Sequence, residues 1–211
     1  MWAYVKDGVV KQVNEHQTRL QTNPGVYFQT KYADEWSKDQ KEAAGVYEIE
    51  EDKTNYKDSN YYINGADTIA FGSGKVTRVW ASATAKSLAD VNWTQAQIDA
   101  GDAPTGADTN TLNYRGLTYL HKEVISRQAH SLLSPTDWYA SRKAEAGTAI
   151  PTAVANYRAA VRTKAADMHT KIDAADTTAK LIAIYEYVNT ADEGDPVVME
   201  RPLGEWPNPV E

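Results

Sequence analysis

The chain has no cysteine and only 2 phenylalanines among its 211 residues. Without cysteine there is no disulfide framework, no thiolate metal site and no cysteine nucleophile. Positive charge is sparse as well. The chain carries 22 Lys and Arg against 29 Asp and Glu, a net charge of −7, and no basic stripe runs through it. A general binder of nucleic-acid phosphates clusters its Lys and Arg, so no nucleic-acid partner is expected. No apolar run approaches the roughly 18 residues that span a bilayer. The opening Met1-Trp2-Ala3-Tyr4-Val5-Lys6-Asp7-Gly8 lacks the basic region and apolar core of a signal peptide. Membrane insertion is not expected either.

What is present is an ordinary globular balance, 42% hydrophobic and 24% charged, in a chain long enough for one or two domains. The unusual surplus is aromatic. With 13 Tyr and 6 Trp, nearly every ring carries a polar handle suited to half-wet surfaces and interfaces.

Along residues 1–85 the pattern is that of short strands. Trp2–Lys6 and Val9–Val13 flank Asp7-Gly8, the pair that a two-residue primed turn demands. Asn23-Pro24-Gly25 predicts a turn before a strand at Val26–Thr30, and the polar, helix-forming Tyr32–Ala44 predicts a short helix stopped by Gly45. Further strands are expected at Val46–Glu50, Tyr61–Ile63, Thr68–Phe71 and Val76–Ala81. Residues 86–111 read as a linker, with Asp90 capping a short segment at Trp93–Ile98 and a Gly-, Pro-, Asp- and Thr-rich run after it. Residues 112–190 read as helical. Leu117, Leu120, Val124, Gln128 and Ser131 or Leu132 fall on one side of a first helix, and Asp176 is placed to cap a last one carrying Leu181, Ile184, Tyr185 and Val188. Residues 191–211 contain four prolines and are expected to be an extended Trp-Pro tail.

The organising stretch is Ser134 to Arg162. Ser134 is placed as an N-cap, Pro135 at the first helical position, and Asp137 at the third position of a capping box. Gly147 ends that helix and Pro151 opens the next, where Val154, Tyr157, Val161, Ala165, Met168 and Ile172 recur at the period of one helical face. Arg158 next to the buried-face Tyr157 allows an Asp137–Arg158 link between the two helices.

Candidate chemistry is thin. His16, His121, His130 and His169 form no recognisable constellation, and His121 and His130, nine apart, face opposite sides of a helix. Asp99, Asp102 and Asp108 lack the oxygen spacing, Gly and terminal Glu of a calcium loop. Gly72-Ser73-Gly74-Lys75 lacks the order of a phosphate loop and is followed by a strand, which makes it a hairpin turn. No Gly-x-Ser-x-Gly elbow occurs. No catalytic residue, cofactor or metal is expected, and the aromatic surplus points to binding, with Tyr61, Tyr62, Trp206 and Pro207 as candidate contacts. Tyr61 and Tyr62, if on one strand, must face opposite sides.

Leu132-Leu133, Thr136-Asp137-Trp138, Tyr157-Arg158, Arg162 and the closing Trp206-Pro207-Asn208-Pro209 together resemble the C-terminal module of bacteriophage tail and tail-fibre assembly chaperones. The resemblance covers roughly the last 80 residues. This chain departs from the pattern in the helix-like segment and acidic loop between Arg162 and Trp206. The resemblance implies a role in building or decorating a tail, in the virion or assembled in the host cytoplasm, with other tail, baseplate or fibre proteins as partners and symmetric self-assembly as an option. It implies no catalytic residue. Ser134, Asp137, Trp138, Tyr157, Arg158 and Arg162 are its motif positions.

The expected fold is therefore α+β. A small N-terminal antiparallel sheet or open barrel precedes a C-terminal helical bundle or hairpin domain with an extended Pro-rich tail. The expected function is that of a non-enzymatic tail-associated protein, read first as a virion structural subunit, with an assembly chaperone absent from the virion and a host-surface glycan-binding adhesin as alternatives.

Overall fold

The computed structural model describes residues 1–14, 19–23, 26–29 and 35–209. The fold is mixed α+β, and the chain divides into two compact units, Met1–Ala85 and Lys86–Glu211.

The first unit contains β1 (Trp2–Lys6), β2 (Val9–Asn14), β3 (Arg19–Asn23), β4 (Val26–Gln29), α1 (Lys38–Ala43), β5 (Val46–Asp52), β6 (Tyr62–Ile63), β7 (Asp67–Gly72), β8 (Lys75–Trp80) and β9 (Thr84–Ala85). Its centre is a five-stranded sheet in the order β2-β1-β5-β8-β7. Asp7 and Gly8 take φ of 55° and 73°, as the predicted hairpin turn requires, and Ser73 and Gly74 turn the β7–β8 hairpin in the same way. The outer strands β2 and β7 approach one another without pairing, so the sheet curls.

The sheet is not purely antiparallel, because β5 and β8 run parallel, with Ile49 opposite Val76. The cause is the connection. Residues 53–66 carry the chain away from β5, and β7 then takes the outer position, so that β8 returns between them in the direction of β5. Ala3, Val5, Ile49 and Val76 are buried together on one face, with Tyr47, Ile69 and Phe71 against them. Phe28 and Val46 pack with Trp2 in a second cluster, where the Trp2 and Phe28 rings are 5.7 Å apart. The predicted helix at 32–44 begins, as far as it is described, at Lys38 after a Ser37 cap closed by Gln40. Glu35 to Ser37 precede the helix, and residues 32–34 of that prediction lie outside the described residues, as do Thr30 of the predicted strand, Pro24-Gly25 of the predicted turn and His16.

The second unit holds β10 (Val91–Asn92), α2 (Gln95–Asp99), β11 (Leu112–Tyr114), α3 (Leu117–Leu133), a 3₁₀ turn (Ser134–Thr136), α4 (Asp137–Ala146), α5 (Thr152–Ala174), α6 (Thr178–Ala183), β12 (Val188–Asn189) and β13 (Met199–Glu200). Residues 86–111, read as a linker, carry local order, since β10 pairs with β11 and Thr94, not Asp90, caps α2. Asp90 instead accepts the backbone N–H of Gly116 at 2.8 Å and pairs with Arg115. The N–H groups of Leu117 and Thr118 donate to the carbonyls of Ser87 and Leu88. The incoming chain thus satisfies the first turn of α3 in place of a capping side chain. A Cβ on Gly116 would collide with the Leu88 and Ala89 backbone, so only glycine fits that approach.

α3 and α5 run antiparallel, as the contacts Lys122–Asp173, Ser126–His169 and Leu133–Arg158 show in sequence. On α5 the predicted face is the buried one: Val154, Tyr157, Val161, Met168 and Ile172. On α3 the predicted face is turned by one residue. Leu117, Ile125 and Ala129 are buried, whereas Leu120 and Val124 are 43% and 39% exposed. Both stripes have helical spacing, and the buried one places the small Ala129 in one cluster with Tyr157 and Val161.

Further expectations are corrected here. Ser134 is not the N-cap of a new α-helix but caps the end of α3 and begins the 3₁₀ turn with Pro135, and Asp137 is the first residue of α4 and not the third position of a capping box. The tail is not extended from Ala191. β12 and β13 pair as a hairpin, because Pro196 and Pro202 fall outside the paired residues, and the chain then folds back to bury Leu203. α6 is capped by Thr177 and not Asp176, and Val188, expected on that helix, lies on β12.

Candidate partner-binding site

The motif residues meet around one guanidinium. Arg158 lies on the buried side of α5, with a side chain only 9% exposed. Its Nη1 donates to the carbonyl of Leu133 at 2.9 Å and to Thr136 Oγ1 at 2.7 Å, and its Nη2 donates to Asp137 Oδ1 at 2.8 Å. Thr136 Oγ1 in turn donates to the Leu133 carbonyl at 2.8 Å. Leu133 is the last residue of α3, so this carbonyl has no partner inside the helix and lies at the negative end of the helix dipole. A buried cation at that point satisfies the carbonyl, fixes the 3₁₀ turn, and holds the first residue of α4. The predicted Asp137–Arg158 link is one strand of a three-way clasp. Arg162, one turn on, donates back to the Arg158 carbonyl at 3.4 Å.

Trp206 closes the same region from the other end of the chain. Its ring packs on the cluster of Ala129, Tyr157 and Val161, and its Nε1–H donates to Gln128 Oε1 at 3.1 Å. Pro207 is half-buried beside it. Trp206, a candidate partner contact, is therefore engaged with its own helices. Gln128, a polar residue on the predicted apolar stripe of α3, is explained by this bond.

The outward residue of the motif is Trp138. It is 52% exposed and stacks on Tyr139 with ring centroids 3.8 Å apart and planes 30° apart. The Arg142 guanidinium lies 4.8 Å from the Trp138 ring and 5.2 Å from Tyr139, and its Nε is buried without a hydrogen-bond partner. The three side chains make an aromatic and cationic platform one helical turn long, starting one residue from the clasp. In the sequence Trp138 stands out only as a motif position and Arg142 only as a candidate for surface ion pairing with Asp137 or Glu145, while Tyr139 does not stand out. Their spacing of three and four was the available signal.

Tyr61 and Tyr62 do not alternate across a strand. Tyr61 precedes β6 in a turn where both backbone N–H groups reach the Asp58 carbonyl, and both side chains are half-buried. Burial, with the Asp58 charge behind it, raises the Tyr61 hydroxyl above the ordinary tyrosine pKa. In the same unit Tyr56 meets Trp80 edge-on at 5.3 Å, and the Arg78 guanidinium covers Trp80 at 5.0 Å while bonded to Asp67. That indole face is occupied from within.

Two of the described histidines, His121 and His169, have structural partners. His121 lies 2.8 Å from the Tyr185 hydroxyl, and burial lowers its pKa. His169 Nε2 sits 3.1 Å from the Lys122 carbonyl and 3.3 Å from Ser126 Oγ, at the edge of a cleft of about 490 Å³ that also includes Asp90 and Tyr119. Donating to the carbonyl fixes the proton on Nε2, and Ser126 itself donates to the same carbonyl, so the pair is not arranged as nucleophile and base. His130 is exposed at the end of α3. Asp108, of the acidic run, is held below the usual carboxylate range by the hydrogen bond from Thr111, with further bonds from Asn110 and burial opposing them. No helix of the described residues is long and apolar enough to cross a membrane.

No family model matches the chain, and no curated protein or solved structure is measurably similar to it.

Proposed function

We propose that the chain is a non-enzymatic bacteriophage tail-associated protein that docks other tail, baseplate or fibre proteins. The observation that carries this reading is the exposed Trp138–Tyr139–Arg142 platform, rigidly placed by the Arg158 clasp. Trp, Tyr and Arg are the residue types that dominate interface hot spots, and a stack fixed before binding loses little side-chain entropy when a partner covers it. The resemblance to tail assembly chaperones supports the phage part of the reading. Residues it draws from 132 to 206 converge on one clasp and one cluster, as a shared folding module would require.

A virion subunit that docks by reaching across its neighbours needs a free linker and a free prolyl tail. Residues 86–111 and 201–206 instead belong to the second unit, so reach no longer argues for it. We therefore put the assembly chaperone first and the virion subunit second. Quantitative mass spectrometry of purified particles and of infected cells separates them. The chaperone is abundant in cells and missing from particles, whereas a subunit appears at a stoichiometric multiple of a tail protein. The docking reading itself fails if Trp138→Ala leaves co-purification with every tail protein unchanged.

A further inference from the structure

The β12–β13 hairpin gathers an unusual share of exposed apolar surface. Tyr187, Val188, Val197, Val198 and Met199 are between 43% and 69% exposed, one third of the exposed large hydrophobic residues among those described. Such a stretch is normally hidden or left floppy, but this one is tied down. Thr190 N–H donates to the Val198 carbonyl at 2.8 Å, Asn189 Oδ1 accepts from Val198 N–H at 3.0 Å and from Ala191 N–H at 3.2 Å, and Leu203 N–H anchors the base on the Ile184 carbonyl. The sheet has just two strands, so each has one flank without a neighbouring strand.

Charge selects what can lie there. Between Glu186 and Glu205 stand six carboxylates and one guanidinium, which account for five of the seven excess negative charges of the whole chain. Arg201 is already bonded to Glu205 and the Gly204 carbonyl. Asp192, Glu193, Asp195 and Glu200 make no ion pair with any described residue. The cations beside the hairpin are engaged elsewhere: Lys164 and Lys171 line a cleft with Val188 and Glu200, and both pair with Asp167. An apolar strand that is preceded by Pro196, carries Glu200 and is joined to its partner by a loop holding Asp192, Glu193 and Asp195 is guarded against pairing with a second copy of itself, because like charges would be brought together. The same carboxylates attract a strand that alternates apolar side chains with Lys or Arg.

We propose that the β12–β13 hairpin is a docking edge for an extended segment of another protein in which β-branched residues alternate with Lys or Arg. The inference rests on the docking reading above but not on the phage resemblance, and it uses a surface distinct from the Trp138 platform.

The test uses the full chain and two synthetic twelve-residue probes, one alternating valine and threonine with lysine, the other identical but with glutamate for lysine. Amide NMR shifts of Val188, Asn189 and Val197 to Met199 report binding. The lysine probe should produce saturable shifts there, weakening several-fold between about 50 and 300 mM salt as screening shortens the reach of the carboxylates, and the glutamate probe should produce none. Val197→Asp and Met199→Asp, at exposed positions that leave the fold intact by circular dichroism, should weaken binding at least tenfold. Equal shifts with both probes, shifts confined to other residues, or no saturable shift with the lysine probe would overturn the proposal. So would a dimer by sedimentation that Val197→Asp dissolves, which would assign the hairpin to a second copy. None of these outcomes bears on whether the chain is found in particles, so the two readings fail separately.

Discussion

The Arg158 clasp and the β12–β13 hairpin lie in one unit and solve opposite problems. The clasp hides a charge and surrounds it with acceptors, so that its polar atoms hold three segments in register. The hairpin exposes apolar groups beside carboxylates, Asp192, Glu193, Asp195 and Glu200, that make no ion pair with a described residue. A buried charge with full hydrogen bonding ties structure together, and losing it leaves acceptors stranded. An exposed apolar strand contributes little to its own fold, so its cost is borne by something outside it. The first region should therefore respond to mutation in stability, and the second in binding.

Arg158→Ala should do the most damage, removing three charge-assisted hydrogen bonds and leaving the Leu133 carbonyl with the Thr136 hydroxyl as its remaining side-chain donor, about 3 kcal/mol by chemical denaturation. Arg158→Lys should recover only part of this, since an ammonium does not reach three acceptors in one plane. Trp206→Ala follows at about 2 kcal/mol, less than for a fully buried Trp because the ring is half-buried. Asp137→Asn should cost less than about 1 kcal/mol, because the carboxylate is 52% exposed and the other two acceptors stay in place. A loss equal to that of Arg158→Ala would make Asp137 the centre of the clasp and break the comparison.

The next effect is a pH dependence of the helical unit. Burial lowers the His121 pKa, so the folded state keeps the imidazole neutral while the unfolded chain takes up a proton below about pH 6.5. The unfolded state then binds more protons, and stability falls as pH drops from about 6.5 towards the folded value, with nothing lost above it. Urea midpoints measured through that range should flatten in His121→Gln. The smallest effect is expected at the hairpin. Val197→Thr should change stability by less than about 0.5 kcal/mol, and a larger loss would mean that the exposed strand supports its own unit.

How much of this was written locally differs from element to element. Asp7-Gly8 announced its hairpin because only residues tolerant of positive φ close a two-residue turn, and Gly147 announced the end of α4 for the same reason, with φ of 68°. The α5 face was legible because six residues shared a single stripe. On α3 two stripes one residue apart both had helical spacing, and local pattern could not choose between them. The parallel β5–β8 pair left no mark in sequence, since a strand does not encode the direction of its neighbour. Of the candidate site, the Asp137–Arg158 pair could be suspected from helix positions, whereas the Leu133 carbonyl and the Trp206–Gln128 bond could not.

By itself the sequence determined the Asp7-Gly8 turn, the end of α4 at Gly147, the helical character of α3 to α5, the face of α5, and a composition without the clustered positive charge of a nucleic-acid binder. These follow from backbone sterics, periodicity and composition, which act within a few residues. Tertiary structure alone decided which α3 stripe is buried, that Arg158 caps a helix other than its own, that Trp206 returns to its own helices, and that Val197 to Met199 stay outside. Each of these depends on groups far apart in the chain competing for the same surface or the same hydrogen bond, and that competition is resolved only when the packed partners are in place.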